Sequence, residues 1–168
     1  MKANKASQTA QYMALFRALE TTLPANKRLF AAPFAVSFLE GKLQLAILLS
    51  PLSFVRRYVQ NTIYKKIPGA FTSGIARTRY IDDLLQQTIQ RGVQQVVILG
   101  AGFDTRSLRL DCLSGTPVIE IDHPNTARKK MSTLQKKLGH LPNKVQYWQI
   151  DFNKERKTTC LKRNKLVM

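Results

Sequence analysis

Cysteine is almost absent from this 168-residue chain: Cys112 and Cys160 lie 48 residues apart, outside any CxxC pair. That spacing offers no disulfide framework. The two histidines, His123 and His140, stand alone, so nothing has metal-ligand spacing and no metal is expected. Each histidine reads as a surface or packing residue. Such thiol usage fits a reducing, cytoplasmic compartment. Glycine and proline are few, eight and seven, which excludes a collagen-like or linker-like chain. The most apolar run, residues 43–49, is too short to span a bilayer and stops at Ser50-Pro51, so it reads as a core helix. The basic N-terminus lacks the uninterrupted apolar stretch of a secretory signal. No membrane partner is expected.

Acid is the other scarcity. Ten Asp and Glu face 27 Lys and Arg, a net charge of +17. The excess is uneven: residues 1–66 carry +8, residues 67–122 carry −1 and residues 123–168 carry +10. A nucleic-acid reader would combine a basic face with aromatic platforms, a helix-turn-helix or a zinc module. None is found, so the lysine runs read as solvated faces and nucleic acid is a rival partner, not the leading one. Apolar residues make up 44 % of the chain, enough for a core. A chain of this length defaults to one domain and buries about two-thirds of its unfolded surface.

The pattern changes along the chain. Residues 7–23 predict a helix, with Ser7 or Thr9 as cap and Tyr12, Leu15, Phe16 and Leu19 on one face. Residues 29–39 and 43–49 predict two short apolar helices punctuated by Pro33 and Gly41. Pro51 opens another, with Phe54, Val55, Tyr58 and Val59 as its stripe. Pro68-Gly69 is a break. Residues 1–68 therefore read as a helical N-terminal cap. Beyond the break, a helix capped by Thr72 or Ser73 runs to about Arg91, with Ile81, Leu84, Leu85, Thr88 and Ile89 buried. Residues 96–99, Val-Val-Ile-Leu, read as a strand buried on both faces of a parallel sheet. A helix over 104–112, a strand over 117–122, a basic helix over 124–138 and a strand over 145–150 follow. Strand, helix, strand, helix, strand is the first half of a doubly wound α/β fold. Residues 69–152 form this half-domain, and 153–168 read as an irregular basic tail.

Gly100-Ala101-Gly102 follows the first strand, where glycines permit a sharp turn and a close backbone approach to a ligand. Asp122 lies 22 residues past Gly100 at the carboxyl end of the second strand, the offset at which a carboxylate meets a ribose diol. Glu120 shares its face of the strand. Thr105 replaces the third glycine of the dinucleotide fingerprint, and Asp104 would repel a pyrophosphate, so an adenosine ligand without pyrophosphate fits better. Asp151-Phe152, at the tip of the third strand, could hydrogen-bond and cover an adenine; a helix cap is the plainer role for such an Asp. Arg77, near the start of the helix ahead of the first strand, could hold a ligand carboxylate through two parallel hydrogen bonds.

SGIARTRYIDD, QQVVILGAGFDTRSLRL, VIEIDHPNTARKK and VQYWQIDF, in that order, resemble the S-adenosylmethionine-dependent methyltransferases related to leucine carboxyl methyltransferase, and most closely their bacterial O-methyltransferase branch. The likeness covers residues 71–152, and SQTAQYMALFRALE resembles the family's N-terminal helix. It implies a Rossmann-like methyltransferase fold, S-adenosyl-L-methionine as cofactor and a small-molecule or peptide methyl acceptor. Arg77 would hold the methionine carboxylate, and Gly100, Ala101 and Gly102 would make the loop beneath it. Asp122 would bind the ribose hydroxyls; Asp151, with the backbone of Phe152, would recognise adenine. Ala32 stands where the family usually has Asp before proline. A carboxylate acceptor is already ionised, so no catalytic base is nominated. Members of the family are longer and continue the sheet, which suggests a premature stop or a frameshift near residue 156. Without a fourth strand, residues 96–99 would form an unpaired apolar edge and invite self-association. A basic nucleic-acid-binding module, from the charge, and a nicotinamide-dependent oxidoreductase fragment, from the glycines and the acid, are the rivals.

Overall fold

The computed structural model describes residues 7–152. The basic tail set apart above, and the frameshift expected near its start, lie outside the described residues. α1 spans Gln8–Thr21, a 3-10 turn spans Ala35–Phe38, α2 spans Gly41–Leu48 and α3 spans Ser53–Lys66. α4 spans Ala70–Gln90, β1 Val96–Leu99, α5 Arg106–Arg109, β2 Val118–Asp122, α6 Pro124–Leu138 and β3 Val145–Gln149. Among the described residues the sheet is parallel throughout, in the order β1-β2-β3. The fold is α/β, consistent with a Rossmann-like methyltransferase fold preceded by helices.

Local chemistry explains the best-defined ends. The Ser7 hydroxyl accepts from the Ala10 N–H and caps α1. α6 opens on Pro124, whose fixed φ suits the first helical position, and closes on Gly139 at φ 79°. Elsewhere side chains override helical pattern. Glu20 and Thr21 accept from the backbone N–H groups of Leu29 and Ala32, at 2.6 and 2.8 Å. Those bonds hold this segment against α1, and with Pro33 they reduce the helix expected over 29–39 to the one turn at Ala35–Phe38. Asp104 accepts from the Arg106 N–H at 2.8 Å, in the first turn of α5, and the chain leaves helical geometry at Leu110. The helix expected over 104–112 becomes the four-residue α5 and a 3-10 turn, Asp111–Leu113.

Packing joins the N-terminal helices to the sheet. One apolar cluster combines Leu15, Phe16 and Leu19 of α1 with Phe38, Phe103 and Leu134. The Phe38 and Phe103 rings stack with centroids 4.8 Å apart. α1 also lies close on α4. A Cβ on Gly74 would come within 3.0 Å of the Phe16 ring.

Burial corrects three expectations. β2 is buried from Val118 to Ile121, but on β1 Val97 is 40 % and Leu99 67 % exposed. The run expected to be covered on both faces is the sheet's edge, and among the described residues no strand pairs with its outer side. On α4 the buried residues are Gly74, Ile75, Thr78 and Asp82, with Gly74 against Phe16 of α1 and Asp82 against Arg106 and Arg109, while Leu84 of the expected stripe is exposed. On α3, Phe54 and Tyr58 of the expected apolar stripe are also exposed, and Ile63 is the buried residue.

Candidate functional site

The parallel register aligns the carboxyl ends of the strands. Leu99 pairs with Ile121, and Asp122 with Gln149. The loop after β1, the end of β2 and the turn after β3 therefore share one rim, where ligands bind in open α/β sheets. A cavity of about 760 Å³ opens there and continues along β1 toward α4. That volume is within the range of small-molecule sites. Arg77, Gly100, Ala101, Gly102 and Asp122 all line it. Asp151 and Phe152 do not belong to its wall; Phe152 is 41 % exposed.

The β1 loop is fixed from both sides. Gly100 and Gly102 have φ of 63° and 52°, in the left-handed region open to glycine. The Ala101 N–H continues the ladder by donating to the Ile121 carbonyl at 3.1 Å. One Asp122 carboxylate oxygen accepts from the Gly102 N–H at 2.5 Å and the other from the His123 N–H at 2.6 Å. Asp122 thus ties the end of β2 to the loop after β1 while facing the cavity. Each carboxylate oxygen keeps a further lone pair for a ligand hydroxyl.

α1 supplies the opposite wall, which sequence reasoning missed. Ala10, Met13 and Arg17 recur at three- and four-residue spacing and face the loop. A Cβ on Gly102 would approach the Ala10 Cβ to 3.2 Å, so the missing side chain admits the helix. Arg17 is buried and donates to the Phe103 carbonyl at 2.9 Å. Burial pushes its pKa below the ordinary value. The signal was present in the sequence: an arginine between Phe16 and Leu19 on an amphipathic helix is a buried-charge candidate. Arg77, from α4, is exposed and reaches the Met13 sulfur at 3.7 Å. Among the described residues no carboxylate pairs with it.

Behind the loop lies a buried charge network. Arg106 bonds Asp82 at 2.6 Å and pairs with Asp104, and Arg109 reaches Asp82 at 2.8 Å. Burial alone would raise the Asp104 pKa, but Arg106, then Arg17 and Lys130, hold it below the usual carboxylate range. Asp104 is therefore the loop's internal anchor. Glu120 points inward as well, to Lys130 and to the Ser107 hydroxyl at 2.9 Å. Its burial pushes its pKa up despite Lys130.

His123, read from sequence as a packing residue, also lines the cavity. Its Nδ1 accepts from the Asn125 N–H at 3.2 Å, which leaves the proton on Nε2. Nε2 lies 3.6 Å from the Asp151 carboxylate. Asp151 thus meets the cavity through His123.

The sequence matches the leucine carboxyl methyltransferase family over residues 10–167. A protein of Frankia alni named for S-adenosyl-L-methionine-dependent methyltransferase activity is 34 % identical over 131 residues, 76 % of this chain and 42 % of that protein. Similarly named proteins of Streptomyces avermitilis and Mycolicibacterium paratuberculosis are each 46 % identical, over 61 and 67 residues. These matches cover 36 % and 40 % of this chain, and 22 % and 21 % of the two relatives. The chain thus spans less than half the length of these curated relatives.

Proposed function

Since the chain belongs to the leucine carboxyl methyltransferase family, we propose that residues 7–152 form the cofactor-binding half of an S-adenosylmethionine-dependent methyltransferase. The methyl group goes to an oxygen, carboxylate or hydroxyl, of a small molecule or peptide. The observation that carries this reading is the Asp122 carboxylate facing the cavity across a loop whose two glycines stand at positive φ. That cradle fits the cofactor: glycines give close approach, and an ionised acceptor suits a ribose diol. Asp122 takes the ribose hydroxyls, and Gly100, Ala101 and Gly102 lie under the methionine part. Arg77, with no carboxylate partner among the described residues, takes the methionine carboxylate. Asp151 and the Phe152 backbone take the adenine, with His123 orienting Asp151.

When bound, the cofactor supplies an electrophilic sulfonium methyl. The chain's residues then act by position, because transfer needs the acceptor oxygen in line at bond-forming distance. Thiol usage supports a cytoplasmic location, and no helix among the described residues is long and apolar enough to cross a membrane. A nicotinamide cofactor is disfavoured by α5. Its four residues follow a fully buried Thr105, leaving a short helix terminus for a pyrophosphate.

Titration calorimetry tests the reading. S-adenosylhomocysteine is expected to bind one to one and NAD not to bind; the reverse order contradicts it.

The exposed edge of β1 supports pairing with a second copy of the chain. Leu99→Lys is expected to shift sedimentation toward monomer, because charge on an edge strand opposes pairing. A wild type that sediments as a monomer at every concentration contradicts this.

A further inference from the structure

α1 has a second lined face. Gln8, Gln11, Tyr12 and Leu15 share a helical stripe opposite the one that faces the cofactor cavity, and they form one wall of another cavity, about 620 Å³, closed by α2 and α3. Its floor is apolar: Leu15 and Ile63 are buried, and Leu43 and Val59 half-buried. Two cations stand in its wall, Lys42 in the first turn of α2 and Lys66 in the last turn of α3, both exposed. Among the described residues no Asp or Glu lines it. Glu40, the acid next along the chain to Lys42, is paired with Lys129 of α6.

These features select one kind of occupant. An apolar floor in a space of this size takes a hydrocarbon or aryl body. Two ammonium groups uncompensated by acid in the same wall favour an anionic end. A phosphate backbone would use the lysines and gain nothing from the floor. An uncharged apolar ligand would use the floor and gain nothing from the lysines.

We propose that the α1–α2–α3 groove is a second small-molecule site that takes an amphipathic carboxylate, its apolar chain on Leu15, Leu43, Val59 and Ile63 and its charge at Lys42 and Lys66. The site is separate from the cofactor cavity, because the residues serving the two occupy opposite faces of α1. It does not depend on the methyltransferase reading.

Decanoate, decan-1-ol and decyltrimethylammonium, each below its micelle concentration, are the probes for calorimetric titration of the full chain. Decanoate is expected to bind one to one, with decanol about tenfold weaker and the ammonium weaker still. The double variant Lys42→Gln/Lys66→Gln is expected to weaken decanoate about tenfold and leave decanol unchanged. Ala46→Trp, which fills the groove from α2, is expected to weaken both. S-adenosylhomocysteine is expected not to displace decanoate, and Asp122→Ala, read below for the cofactor site, to leave decanoate binding unaltered. Equal affinity for the three probes overturns the proposal. So does unchanged decanoate affinity in the double lysine variant, and so does displacement by S-adenosylhomocysteine. If S-adenosylhomocysteine fails to bind while decanoate behaves as expected, the cofactor reading falls and this site stands.

Discussion

Asp122→Ala is expected to weaken S-adenosylhomocysteine binding by about a hundredfold or more. Two losses combine. The ribose hydroxyls lose an ionised acceptor, and a hydrogen bond to a charged group contributes about 1.5–3 kcal/mol. The Gly102 and His123 N–H groups also lose the carboxylate that joins the β1 loop to the end of β2. Asp122→Asn does not restore the site, because one of its two positions becomes an N–H facing an N–H. The two losses can be separated with a cofactor product lacking the ribose 2′-hydroxyl. Wild type is expected to bind that analogue more weakly than S-adenosylhomocysteine, whereas Asp122→Ala is expected not to distinguish the two. Unchanged affinity in Asp122→Ala, with an unaltered circular dichroism spectrum, would refute the ribose assignment.

Arg106→Ala is expected to cost about 3–5 kcal/mol of folding stability, the usual consequence of leaving buried charges unpaired. Against a typical total of about 5–15 kcal/mol, that approaches unfolding. Arg106 is buried between Asp82 and Asp104 and also donates to the Thr78 carbonyl at 3.2 Å. Its removal loosens α4 from the loop that carries Gly102. The loss depends on pH, with a definite sign. In wild type the folded Asp104 pKa lies below the ordinary 3.8, so its contribution is present above that pH and is lost as the pH falls through the folded value. Without Arg106, burial has less to oppose it, and protonating Asp104 relieves the variant. Urea unfolding should therefore show the gap between variant and wild type narrowing as pH drops below about 4. A gap that is constant or widens with acid contradicts the network.

How far the fold was legible depended on which side chains compete with the backbone. α6 was readable to the residue because Pro124 and Gly139 mark its ends through their own φ preferences. β1, β2 and β3 were readable as apolar runs closed by a turn. The segment at 29–39 was not, because its conformation is set by Glu20 and Thr21, which are distant in sequence. α5 was overestimated because the chain leaves helical geometry at Leu110, φ −96° and ψ 115°, and regains only the 3-10 turn Asp111–Leu113. The rim residues of the site, Gly100, Ala101, Gly102 and Asp122, follow from strand ends and spacing, which are local. Arg17 and His123 do not. The first depends on α1 crossing over the loop after β1, and the second on the turn after β3 reaching the end of β2. Exposure of Val97 and Leu99 was legible only in part: the apolar run by itself suggested cover on both faces, whereas the lack of a fourth strand after β3 in the sequence pointed to the open edge that is found among the described residues.

Amide hydrogen exchange of the full chain, with and without S-adenosylhomocysteine, tests the central claim most directly. Slower exchange is expected at Gly100–Asp104 and at His123, the amides around the Asp122 carboxylate, with residues 41–67 unchanged. Unaltered exchange in the β1 loop at saturating ligand, or protection confined to the groove between α2 and α3, would contradict the account.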